Sequence, residues 1–138
     1  MSARLRAGSL WYRKGVCLFV DAASANPTQP AEMRSTARLI EETGLSAVLV
    51  LPADMRPDDM EDLVTAYRAI GVTRVIGTRL DLTNRRASLA YAVSQGDMSL
   101  AQISATPYIS GGVAIATANR LASLILDPFE DALAEDAA

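Results

Sequence analysis

Four polar clusters in this chain each follow an apolar run. Asp21-Ala22-Ala23-Ser24 follows Val16–Val20, and Pro52-Ala53-Asp54 follows Ala47–Leu51. Thr78-Arg79-Leu80-Asp81 follows Arg74–Gly77, and Ser104-Ala105-Thr106-Pro107 ends the run Ala101–Ser104, with Gly111-Gly112 just beyond. If the runs are strands of a parallel sheet, the clusters sit at the strand ends where such sheets bind ligands. Aspartate there can accept paired, charge-assisted hydrogen bonds or act on a hydrated cation. Each also has a plain structural reading, Asp21 as a strand-end cap and Asp81 as an acid favoured by the dipole of a following helix. The chain has no histidine, which removes Ser-His and Cys-His catalysis and the usual zinc sites. Asp58, Asp59, Glu61 and Asp62 follow Pro57. They read as acids in a first helical turn, because nothing converges on them as a catalytic pair.

The totals fit one globular domain. The chain has 138 residues, half of them hydrophobic and 21% charged. A net charge of −3 argues against a nucleic-acid surface. The single cysteine, Cys17, cannot form an internal disulfide and reads as a buried, inert thiol. No apolar run is long enough to span a membrane and no signal peptide is evident, so the expected location is cytoplasmic. Residues 1–15 carry Arg4, Arg6, Arg13 and Lys14 and no acid, whereas residues 127–138 are acidic and carry no base.

The clusters must be held by the elements between them. Pro30–Thr43 reads as a helix, with Thr28 or Gln29 near its start and Gly44 at its stop. Met60, Leu63, Val64, Tyr67 and Ile70 recur at helical spacing between Pro57 and Gly71. Thr83 could cap a helix carrying Leu89, Tyr91 and Val93, ending near Gly96, and a last helix carries Leu121, Leu124 and Ile125 and stops at Pro128. Strand and helix in alternation predict a four-stranded, mainly parallel α/β sheet with crossover helices. The runs are continuous rather than alternating, so both sheet faces should be buried. Crossovers stepping in one direction, however, put every helix on one face. The other face would then meet a partner, a missing half of the domain, or residues 1–15 with Trp11 and Tyr12.

In order, the clusters resemble the C-terminal half of the G domain of signal-recognition-particle GTPases, over residues 16–127. "DAASANP" stands where that family has D-T-A-G, and "TRLDLTNRR" where it has T-K-x-D. "ISATPYISGG" stands where it has the closing loop, nearest to the flagellar, FlhF-like branch. The resemblance implies a partial P-loop-NTPase-like fold in which Asp81 reads the guanine edge through two hydrogen bonds. Thr78 would fix that loop and the stem of Arg79 would lie along the base. Ser104, Ala105, Thr106 and Pro107 would close over base and ribose, and Asp21 would act on Mg2+ through water. The implied cofactors are GTP or GDP with Mg2+.

The family's phosphate loop, G-x-x-x-x-G-K-[ST], is absent from the chain. That loop supplies the phosphate cradle, so the chain alone is not expected to hydrolyse GTP. The expected organisation is a basic segment 1–15, a partial G-domain-like unit 16–127 and an acidic tail 128–138. Two histories fit, a fragment of a longer GTPase or a degenerate paralogue serving as a homodimerising or regulatory module. The residues before Val16 favour a separate chain. Expected partners are a second copy or the missing N-terminal half-domain, with peripheral membrane contact open to Trp11-Tyr12 and its flanking Arg6, Arg13 and Lys14.

Overall fold

The computed structural model describes residues 18–108 and 112–135, with side chains up to Leu126. The chain divides into two compact units between Ala47 and Val48. In the first, helix α1 spans Pro30–Thr43. Pro30 fits the first helical position because its missing N–H would have no partner there. Ahead of it, the Asn26 Oδ1 accepts the Thr28 N–H at 3.0 Å, and the Glu32 carboxylate reaches back to the Asn26 N–H at 2.7 Å. Gly44 ends the helix in the left-handed region, at φ 64°, and its N–H returns to the Ile40 carbonyl at 3.0 Å.

The expected strand at Val16–Val20 is not borne out over its described part. Leu18, Phe19 and Val20 form no ladder, and Phe19 is 88% exposed. An apolar run becomes a strand only where a sheet edge receives it. Val16, Cys17 and the basic segment lie outside the described residues.

The second unit holds the sheet. Strand β1 spans Leu49–Pro52, helix α2 Pro57–Ala69 and strand β2 Arg74–Thr78. A 3-10 turn covers Leu80–Leu82, helix α3 spans Arg86–Gln95, and strand β3 spans Ser99–Ile103. Strand β4, Ala114–Ile115, and helix α4, Ala118–Glu135, complete it. The sheet order is β1-β2-β3-β4; the first two pairings are parallel and β3–β4 is antiparallel. The described residues thus form an α/β fold with four strands, but the fourth is a short antiparallel strand the sequence reading did not anticipate.

Register explains which residues are buried. Leu51, Gly77, Ile103 and Ala114 pair in one row across the sheet, and Val50, Ile76, Gln102 and Ile115 form the next. Alternation sends these rows to opposite faces. The first meets the helices: Leu51, Ile103, Met60, Val64 and Leu89 are all buried. Helices α2 and α3 pack against each other, as two successive right-handed crossovers require. The second row is less covered: Val50 is 59% and Ile115 67% exposed, and Ile76 and Gln102 between them are half-buried. This is the less covered face expected from crossovers that step in one direction. Both crossovers step the same way, and α2 and α3 pack together over the first row.

The last helix does not stop at Pro128, and the expected separate acidic tail begins as its continuation. In α4 the Leu124 carbonyl would normally accept the N–H of residue 128, and proline has none. The Arg86 Nη1 donates to that carbonyl instead, at 2.7 Å. A side chain from α3 thereby satisfies the acceptor that the proline leaves open, and the helix runs on to Glu135.

Candidate functional site at the strand exits

Three backbone bonds tie the strand exits together. The Ala53 N–H donates to the Thr78 carbonyl at 2.8 Å, linking the exits of β1 and β2. The Ser104 N–H donates to the Gly77 carbonyl at 2.8 Å, and the Leu80 N–H to the Ser104 carbonyl at 3.2 Å. The two segments predicted to flank a base, 78–81 and 104–107, are therefore adjacent.

Leu80 is the anchor of the turn that carries Asp81. Its side chain is fully buried, and its carbonyl accepts the Arg86 Nε at 2.8 Å. Arg86 opens α3, where the helix dipole disfavours a cation. Its two carbonyl acceptors, on Leu80 and Leu124, offset that cost. With the turn fixed at Leu80, Asp81 is displayed half-buried, and its carboxylate makes no hydrogen bond or ion pair among the described residues. Thr83 does not cap α3, which starts three residues later; its hydroxyl accepts the Arg85 N–H at 3.0 Å.

Arg79 sits in the left-handed region, at φ 61°, and turns the chain out of β2 into the 3-10 turn. Its guanidinium pairs with Asp54 at 3.0 Å. The pair is partly solvated and contributes little to stability, but it commits the head of Arg79 to the β1 exit. Sequence reasoning named Asp54 as a strand-end residue without seeing this pairing, and it missed Arg86. The signal for Arg86 was present, since a cation at a helix start needs acceptors.

The closing segment divides. The Ser104 backbone serves the strand stitching. Ala105 and Thr106 line an open groove of about 270 Å³ with Ile103, Gly112, Ala114, Arg120 and Leu124, and Pro107 is exposed. The Thr106 hydroxyl accepts the Tyr108 N–H at 3.2 Å. Thr78, Arg79 and Asp81 do not line this groove. Asp21 lies exposed in the first unit and follows no strand, so its strand-end address is lost. Among the described residues no three acidic or cysteine side chains gather to hold a metal ion. No described helix is long and apolar enough to cross a membrane.

The fold and its stitched exits define the class, an α/β sheet protein whose polar residues collect at the C-terminal ends of parallel strands. The chain matches no protein-family model and no curated protein sequence.

Proposed function

We propose that the chain is a non-hydrolysing, cytoplasmic guanine-binding module related to the G domains of protein targeting and flagellar biogenesis. The observation that carries this reading is the unpartnered Asp81 carboxylate, on a turn bonded to the β3 exit through Leu80 and Ser104. A carboxylate so placed can accept the ring N–H and the exocyclic amine of guanine together, a pair adenine does not offer. Thr78 and Ser104 supply the adjoining strand ends, Arg79 is steadied by Asp54, and Ala105, Thr106 and Pro107 form the neighbouring exit. The residues fit a base better than they fit GTP with Mg2+. The phosphate loop is missing from the sequence and Asp21 belongs to the other unit. No step of phosphate chemistry is assigned to the chain, and guanosine should bind about as well as GDP.

A fluorescent GDP titration tests the reading. Saturable binding is expected, displaced by guanosine and not by adenosine, and Asp81→Asn should weaken it about tenfold, or ~1.4 kcal/mol. Absence of saturable binding at about millimolar nucleotide would sink it.

The row Val50, Ile76, Gln102 and Ile115, exposed at both ends, favours a second reading, a non-enzymatic interaction or regulatory module that pairs with a second copy of itself. Exposed apolar side chains gathered on one sheet face, here Val50 and Ile115, are more often an interface than a solvent surface.

A further inference from the structure

We infer that the free edge of β1 pairs antiparallel with β1 of a second copy, about a two-fold axis at Val50. This rests on the homodimer reading above and names its contact. Among the described residues, β1 has a neighbour on one side only. The Ala53 N–H donates toward β2, so alternation directs the N–H and C=O of Leu51 and Leu49 the same way. The polar groups of Val50 and Pro52 then face the free edge. Proline is tolerated in a strand where its missing N–H points outward, and Pro52 fits that rule.

Exposed edges are normally blunted by charge, by a bulge or by shortness. The β4 edge is only two residues long. The β1 edge is four residues long and, beyond that length and Pro52, carries neither charge nor bulge. From Gly44 to Ala53 the sequence carries no charged residue, and β1 pairs with β2 without a register shift. An antiparallel copy centred on Val50 opposes Val50 to itself and Leu49 to Leu51. The two Val50 residues exchange both backbone bonds, and the ladder ends where Pro52 has no N–H to give. The pairing keeps parity, so each open face continues into the next and each helix-covered face does the same. No like charges meet, and the contact is isologous, as a closed dimer requires.

Two four-residue strands bury well under the ~1,600 Å² of a standard interface, so the dimer should dissociate on dilution. Sedimentation velocity on the full chain, from about 1 to about 200 µM, is the test. Wild type is expected to shift from monomer to dimer across that range. Val50→Lys sets two ammonium groups across the axis and should weaken association at least about tenfold. Val50→Pro removes the outward N–H while leaving the bonds from Leu49 and Leu51 to β2 in place, and should do likewise, with circular dichroism confirming that it folds. Ile115→Lys, on the far strand, should leave association unchanged. A wild type that stays monomeric throughout overturns both the homodimer reading and this contact. Association lost in Ile115→Lys but kept in both Val50 variants leaves the homodimer reading standing and overturns the β1 edge as its contact. Association kept in all three variants also overturns the edge contact.

Discussion

Arg86→Met is expected to cost about 2–4 kcal/mol of folding stability, because two charge-assisted bonds to buried-side carbonyls are lost together. The larger share comes from Leu124. Its carbonyl lacks the usual donor four residues on, because residue 128 is proline, and the guanidinium supplies a bond in its place. A second substitution separates this cause from lost packing. Pro128→Ala supplies a backbone N–H four residues on, so it should recover part of the loss in the Arg86→Met background. The two changes should couple by about 1 kcal/mol or more. Urea unfolding of the four proteins measures the coupling. A loss under about 0.5 kcal/mol for Arg86→Met, or strict additivity, would remove Arg86 from the account. Arg86→Lys should fall between, since an ammonium on a flexible stem cannot reach both carbonyls in the fork geometry of arginine.

Gly77→Ala is expected to destabilise the second unit by about 1–3 kcal/mol through overpacking. Gly77 lies in the buried row between Leu51 and Ile103, and an added Cβ would collide with the Leu89 side chain of α3. Leu89 is itself fully buried, so it has no free space to retreat into. Leu89→Ala alone should cost about 2–5 kcal/mol as a cavity, and in that background Gly77→Ala should be nearly neutral or favourable. The same glycine matters to the site. Its carbonyl accepts the Ser104 N–H, so a shifted β2 also disturbs the junction of the two exits. Equal cost of Gly77→Ala in both backgrounds would show that the close approach of α3 is not what requires glycine.

The elements legible in the sequence were those with local punctuation. Pro30 and Gly44 bound α1 because each suits one helix end for backbone reasons, and Pro57 opens α2 in the same way. The strands β1 to β3 fell within a residue or two of their apolar runs. What failed depended on distant partners. Val16–Val20 has the composition of a strand, yet over its described residues no edge receives it. Pro128 looks like a stop, and the donor that carries α4 past it arrives from Arg86, 38 residues from the Leu124 carbonyl it serves. β4 has only two residues in the ladder, too few to leave a periodic signal. The open face was legible from topology alone, since crossovers that all step one way leave one side uncovered.

The candidate site follows the same division. The strand-end addresses of Thr78, Arg79, Asp81 and Ser104 could be read from the order of runs and polar exits. The commitment of Arg79 to Asp54 could not, because it joins two exits separated by the whole of α2. Nor could the division of the last exit, in which Ser104 holds Leu80 while Ala105 and Thr106 turn to a groove with Arg120. A short turn pinned at Leu80 leaves the Asp81 carboxylate without a partner among the described residues, and that is the feature the proposed base edge would use.

The most direct measurement is a backbone amide NMR titration of the isotope-labelled chain with guanosine, and with adenosine as control. The predicted result is saturable shifts confined to residues 77–83 and 104–106 with guanosine, absent with adenosine and lost in Asp81→Asn. Equal responses to both nucleosides, or guanosine shifts that bypass Asp81 and Ser104, would contradict the account.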